Sequence, residues 1–288
     1  MSADAEPTVV RRRRHLPASL WIGGIILGMH LFLALLGSAI APYGPAEMGT
    51  GTPFEGASAD HPFGVDQLGR DVFSRTLHGA RLVLLMSLSG TVLGFLMGGL
   101  LGLVSGYRGG WFDWIVMRGC EMLISIPILV TALFVLALLG TQSIGAVPMI
   151  VGVIGFVYAP RVARIARASA METSQQDYVY ASLLRGDSAV RIALRDILPN
   201  VSGVMLVEFA LRAAYAPVLV ASLGFLGFGL QPPTPEWGLI IAENRGAIFL
   251  SPAIVVGPGL MLATLVIGIN LLTEGIARSI GRAVPRIS

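Results

Sequence analysis

The stretch from Arg161 to Asn200 limits what this chain can fold into more than any other. It reads RVARIARASAMETSQQDYVYASLLRGDSAVRIALRDILPN, polar and charged sequence set between two long apolar runs. The chain of 288 residues is 54% hydrophobic and only 13% charged, the composition of an integral membrane protein rather than a soluble domain. In such a chain a polar segment of this length must lie in water. Arg161, Arg164, Arg167, Arg185, Arg191 and Arg195 within it place it in the cytoplasm by the positive-inside rule.

Local signals divide the segment. Asp177 can cap a short helix from Tyr178 to Arg185, and Gly186 fits the position just past its end. Ser188 can start a second helix, which Pro199 is expected to stop. Tyr178, Ala181 and Leu184 give the first helix an apolar edge; Ile192, Leu194 and Ile197 do the same for the second. A polar helix–turn–helix with an apolar edge at the membrane surface is suited to docking another protein. An ordinary cytoplasmic loop is the competing reading.

Apolar runs divide the rest of the chain. Arg11 to Arg14 precede a run from Ser19 to Ala41, long enough at 1.5 Å per residue to cross a hydrocarbon core of ~30 Å. A signal peptide could be cut near Ala39-Ile40-Ala41, but the run is too long and Pro42 would follow the cut. Further spans are expected over 82–107, 114–139, 144–159, 201–230 and 252–272, the third bent at Pro127. Arg70, Arg75, Arg81 and Arg245 fall outside in this topology; most other arginines fall inside. The resulting division is a cytoplasmic tail (1–18), a first transmembrane helix (19–41) and an extracytoplasmic segment (42–80). A core of five helices with its cytoplasmic loop (81–277 and, within it, 161–200) and a second cytoplasmic tail (278–288) complete it. Before the second span, Asp71 and Arg75 are spaced to pair, and Val72, Phe73, Thr76 and Leu77 leave an apolar side, which predicts a short interfacial helix on the outer surface. Trp237 is expected at interfacial depth in the second outer segment.

Two features inside the spans stand out. Gly90, Gly94, Gly98, Gly102 and Gly106 recur every fourth residue. Each glycine costs a helix in water ~1 kcal/mol relative to alanine, whereas in lipid such a row admits a close neighbouring helix. A flexible gating hinge is the lesser reading. Glu208 and Arg212 lie one turn apart in the fifth span; an unpaired charge at mid-bilayer costs ~2.5–3.5 kcal/mol, so they either line a path or bridge internally. Arg161, Arg164 and Arg167 superficially match a voltage sensor but stand at the inner end of their span.

Several functions are excluded. All 20 basic residues are arginine, so the lysine of a P-loop is missing and the chain is not itself the ATPase of any transport system. Its net charge of +3 reflects the inside arginines and points to no nucleic acid. Cys120 is the single cysteine, which rules out an intrachain disulfide or a cysteine-cluster metal site. Four scattered histidines, with neither HExxH nor GxSxG, argue against a membrane enzyme, and no catalytic or metal residue is assigned. An ion channel or proton-coupled transporter would need more intramembrane ionisable groups than Glu208 and Arg212.

Four stretches carry a family resemblance. The run from Tyr180 through Gly186 to Leu198 and Pro199 resembles the EAA loop of permease subunits in ATP-binding-cassette (ABC) importers. Gly186 and Pro199 keep its thirteen-residue spacing, and ILPN matches its tail, although Tyr180 and Ser182 replace the usual Glu and second Ala. HPFGVDQLGRDVFSRTLHGAR resembles the segment before the second helix in the C-type permease of dipeptide and oligopeptide importers. LGFLGFGLQPPTPEWG and NLLTEGIARSIGRAVPR are similar to the ends of its fifth and sixth helices, with Val220 where the family usually has Glu. The resemblance implies an all-α permease of the type I importer fold: six transmembrane helices, both termini cytoplasmic, in a bacterial inner membrane. It implies as partners a homologous second permease, two cytoplasmic ABC ATPases that hold the ATP and magnesium, and an extracytoplasmic substrate-binding protein. Asp177, Tyr178, Ala181, Leu184, Gly186, Leu198 and Pro199 would then couple to the ATPase. The cargo implied is a di- or oligopeptide, with nickel or another small solute as the alternative.

Overall fold

The glycine repeat sets the centre of the bundle. The computed structural model describes residues 17–139 and 145–281; Arg11 to Arg14, Ile144, Arg282 and Arg286 lie outside the described residues. The repeat runs along helix α2 (Val72–Arg108), and its partner is helix α5 (Ala146–Ser174). A Cβ built on Gly90 would lie 2.7 Å from Ile154 Cβ, one on Gly94 2.9 Å from the Gly155 carbonyl oxygen, and one on Gly106 2.6 Å from the Arg167 carbonyl oxygen. At Gly98 and Gly102 the carbonyls of Ala159 and Ala163 stand closer still. Much of the facing surface of α5 is itself small, with Gly155, Ala159, Ala163, Ala166 and Ala170 along it, so the two backbones approach closely and the side chains of Ile154, Tyr158 and Val162 rest directly on the α2 glycines.

The other long helices surround this pair. Helix α1 (Ala18–Ile40) packs on α10 (Ala253–Gly281) and on α2. A Cβ on Gly268 would lie 2.6 Å from Ile26 Cγ2, and one on Gly275 2.6 Å from Leu20 Cβ. The outer face of α1 exposes Trp21, Ile25 and Leu35, as a lipid-facing helix should. Helix α8 (Leu198–Phe225) packs against α2, α5 and α10. Met86, Leu136, Ile150, Ile154, Tyr158, Leu219 and Leu223 fill the space between α2, α5, α8 and α4 (Ile128–Leu139).

Among the described residues five helices are long and apolar enough to cross a membrane; helix α3 (Gly110–Ser125) with α4 supplies a sixth span if the pair is counted as one. The two meet at 100°, a break where a bend was expected. Ile126 between them is extended (φ −89°, ψ 136°), the conformation imposed on a residue before proline, and Pro127 follows it. Apart from an isolated antiparallel bridge between Val65 and Asp71, the elements among the described residues are helical. The all-α architecture implied by the family resemblance is therefore the one observed among the described residues.

Two expectations about the outer side are corrected. Residues 72–78 do not form a separate interfacial helix: they are the first two turns of α2, and Val72, Ser74, Arg75, Thr76 and Leu77 are buried. Trp237 is not presented to a membrane interface but is wholly buried within the chain at the start of helix α9 (Trp237–Asn244), where its indole N–H donates to the Thr76 carbonyl at 2.9 Å. Residues 72–77 read as amphipathic in isolation; the stretch that begins at Trp237 packs against them, at a distance in sequence that no local pattern reports.

Candidate functional site

The polar segment folds into a compact hairpin at one end of the bundle. α5 carries Arg161, Arg164 and Arg167 in its last turns and ends at Ser174. Helix α6 (Asp177–Leu184) follows after two residues. Asp177 is its first residue rather than its cap: Gln176 occupies the cap position with extended backbone and no side-chain bond, and Asp177 instead places a carboxylate in the first turn, favourable to the helix dipole.

The far end of α6 closes on Gly186. Its φ of +79° is the left-handed conformation that side chains with a Cβ resist. The Gly186 N–H donates to the Leu183 carbonyl at 3.0 Å and the Asp187 N–H to the Ser182 carbonyl at 3.2 Å, the paired bonds of a Schellman turn. Ser188 then accepts from the Arg191 N–H at 3.4 Å and caps helix α7 (Ala189–Ile192). Arg191 donates to Asp187 at 2.8 Å, which, with Arg185 nearby, holds the Asp187 carboxyl below its usual range.

Pro199 does not stop the second helix. A π-helical turn, Ala193–Ile197, joins α7 to α8, and residues 189–225 form one 37-residue helical rod. Pro199 lies in the first turn of α8, where a missing N–H costs nothing, and the wider π turn carries the ladder across.

Burial sorts the apolar side chains of this hairpin into two sets. Val179, Ile192 and Ile197 turn inward onto Val162, Ala166 and Ala170 of α5 and Val201 of α8. Tyr178, Ala181 and Leu184 turn outward; Leu184 is 90% exposed, and Leu183, Leu194, Leu198 and Pro199 are exposed with it. The edge read from the sequence is thus split. Its inner half anchors the hairpin, and its outer half leaves a patch of apolar surface beyond the bundle.

Glu208 and Arg212 lie side by side in α8. Arg212 Nε donates to Glu208 Oε1 at 2.6 Å; Glu208 is buried and Arg212 partly so. Pairing cancels the two charges where a lone one would be most costly.

A larger ionic cluster at the opposite end escaped sequence reading. Arg70 donates to Asp66 at 2.6 Å and to Glu243 at 3.2 Å; Arg75 donates to Asp66 at 2.8 Å and stands 2.8 Å from Glu243. Asp66, Arg70 and Arg75 are buried, and the four charges balance. Asp71, expected to pair with Arg75, instead caps α2 by accepting from the Ser74 N–H at 2.7 Å and contacts His61 at 2.9 Å, while Tyr43 stacks on that imidazole. The spacing Asp66–Arg70 offered the same four-residue signal as Asp71–Arg75; only Glu243, far along the chain, decides between them. Next to this cluster Glu236 caps α9, accepting from the Gly238 and Leu239 N–H groups, both at 2.9 Å. Burial pushes its carboxyl up to about 7, against the lowering effect of those two bonds. Among the described residues no group of three or more His, Cys, Asp or Glu could hold a metal ion.

With this geometry in hand, comparison with known proteins is informative. Residues 98–286 match the family model described as "Binding-protein-dependent transport system inner membrane component". The di/tripeptide transport system permease protein DppC of Pseudomonas aeruginosa is 37% identical over 262 residues, covering 88% of this chain and 85% of that protein. The glutathione transport system permease protein GsiD of Pectobacterium atrosepticum is 36% identical over 222 residues, 77% of this chain and 72% of its own. A dipeptide transport system permease protein, DppC of Alkalihalophilus pseudofirmus, is 31% identical over 255 residues, 88% and 83% respectively.

Proposed function

The chain belongs to the family of inner-membrane components of binding-protein-dependent transport systems, and from that premise we propose that it moves small peptides and takes its driving force through α6. It is a multi-pass permease subunit of an ABC importer in the inner membrane. Relatives named for di/tripeptide, dipeptide and glutathione transport favour a cargo of two or three residues. In this reading a second permease completes the pore, two ATPases dock on the end that carries α6, and a binding protein delivers peptide at the opposite end. Both termini and the hairpin face the cytoplasm. The chain itself performs no catalysis; ATP and magnesium belong to the ATPases.

One observation carries the coupling role: the outward apolar edge of α6, Tyr178, Ala181 and Leu184, next to a turn held rigid by two hydrogen bonds and a left-handed glycine. Exposed apolar surface on an eight-residue helix is costly in water and favourable in a groove of another protein. ATP-driven closure of the ATPases would move this helix, and the transmembrane helices would rock with it. Glu208 and Arg212 act here as an internal bridge within the moving rod rather than as ligands for cargo.

The test is Gly186→Glu in the complete importer, reconstituted in proteoliposomes with loaded binding protein. A Cβ at this φ costs roughly 1–2 kcal/mol, too little to unfold the bundle, and nothing within 4 Å obstructs it. The variant should insert normally yet lose ATP-dependent dipeptide uptake, with hydrolysis no longer stimulated by binding protein. Uptake at the normal rate from an assembled variant would remove α6 from the coupling role.

A further inference from the structure

A cavity of about 630 Å³ opens between the start of α3 and the later turns of α5. Asp113, Trp114, Arg118, Glu121, Arg164 and Arg167 line it. Its charges do not balance: three guanidinium groups face two carboxylates. Arg167 grips Asp113 with both forks, at 2.5 and 2.6 Å, and Arg118 donates to Glu121 at 3.0 Å. Both acids are thereby satisfied. Arg164, exposed towards the cavity, has no hydrogen-bonding or ionic partner among the described residues, so one positive charge is left over.

Depth narrows what could neutralise it. The cavity lies just past Arg108, where α2 ends and Gly109 turns the chain into α3. Trp111 and Trp114 project outward beside it, 75% and 63% exposed, and amphipathic indoles of this kind settle at headgroup level. The guanidinium of Arg118 lies 5.9 Å over the Trp114 ring, which fixes a cation at the same depth. Farther along α3, Ile115 and Met122 expose apolar side chains against which acyl chains can lie. A single net positive charge, fork-shaped donors and an adjoining apolar helix face match a phosphodiester that carries one negative charge and a lipid tail.

We propose that this cavity is a binding site for the headgroup phosphate of an anionic membrane lipid, with Arg164 as the primary phosphate ligand and Arg118 as the second. The inference is independent of the cargo and of the coupling role of α6. A lipid held there would bridge α3 to α5 at the end of the bundle where those two helices part, and would make the importer sensitive to membrane composition.

The full-length chain, purified in a neutral detergent, is titrated with phosphatidylglycerol and with phosphatidylcholine of the same acyl chains, and bound lipid is counted by native mass spectrometry. Phosphatidylglycerol should bind about fivefold more tightly, the preference one arginine confers at a membrane surface. Arg164→Gln should bring the two lipids to near parity, Arg164→Lys should keep the preference, and Arg245→Gln at the other end of the bundle should leave it unchanged. Arg164 makes no hydrogen bond or ion pair among the described residues, so an unchanged melting temperature separates lost binding from lost fold. Equal binding of both lipids to the wild-type chain, or a preference that survives Arg164→Gln, would overturn the proposal. Displacement by millimolar inorganic phosphate would assign the site to a soluble anion and overturn it as well. So would loss of the lipid on assembly with the partner subunits, which would make the cavity a subunit contact.

Discussion

The two ends of the bundle handle unfavourable surface in opposite ways. At the end that holds α9, charged groups are paired within the chain: Asp66, Arg70, Arg75 and Glu243 neutralise one another, although Arg75 Nε and Nη2 keep no hydrogen-bond partner, and Trp237, on the same helix as Glu243, is wholly buried. At the other end apolar groups are exposed and left unsatisfied: Tyr178, Ala181, Leu184 and Leu194 face outward from a hairpin that has inner apolar residues enough to hold itself. The first end pairs its charges with one another; the second leaves apolar surface that the ATPase would cover if α6 is the docking element proposed above.

Three substitutions probe this contrast. The largest effect is expected from Asp66→Ala, which strips Arg70 and Arg75 of a shared buried partner. Breaking such a pair costs about 3–5 kcal/mol, so the variant should fail to accumulate in membranes or lose most of its thermal stability. Normal accumulation with an unchanged melting temperature would show that the ionic cluster is not what fixes that end. Next comes Gly98→Leu, which drives a side chain into the Ala159 carbonyl and Val162 of α5. Overpacking costs about 1–3 kcal/mol where neighbours can yield, and backbone cannot, so the melting temperature should fall clearly. An unaffected variant would mean that α2 and α5 can separate freely. The smallest effect on stability belongs to Leu184→Ala, below about 0.5 kcal/mol for a side chain with so little to lose. Its effect should appear in co-purification of the ATPase, which should weaken about tenfold if the outer edge is the docking face. A variant that binds ATPase as tightly as wild type would move the docking face elsewhere on the hairpin.

What the sequence disclosed follows the range of the interactions concerned. The glycine spacing is a local pattern, and it directed attention to the α2–α5 contact because close helix approach requires small residues at fixed intervals. Gly186 was legible for the same reason: a Schellman turn is written in adjacent residues. The failures are cases where a neighbouring or distant segment changed a local preference. Pro199 reads as a stop, but a π turn absorbs it within a continuous helix. Residues 72–77 read as interfacial because Val72, Phe73, Thr76 and Leu77 leave an apolar side next to an expected Asp71–Arg75 pair, yet Trp237 and the loop around Asp66 pack against the stretch. Pro127 predicts a bend, but only packing of α4 against α5 and α8 turns it through 100°. Whether Glu208 lines a path was open in the sequence because a pair one turn apart serves either role, and its geometry is that of a bridge.

The π turn at Ala193–Ile197 has a mechanical consequence. Because the helix does not end at Pro199, residues 189–225 form a single shaft of 37 residues, ~55 Å from end to end at 1.5 Å per residue. A shaft of that length can act as a lever, with the π turn and Pro217 as the places where it could bend. Pivoted at its middle and tilted by ~5°, it would swing each tip by ~2.4 Å, since the half-length is ~28 Å. A displacement no larger than a side-chain rotation, imposed at the α7 end, would therefore arrive at Phe225 with equal amplitude and opposite direction, and the gain would be set by where the bundle grips the shaft rather than by how flexible it is.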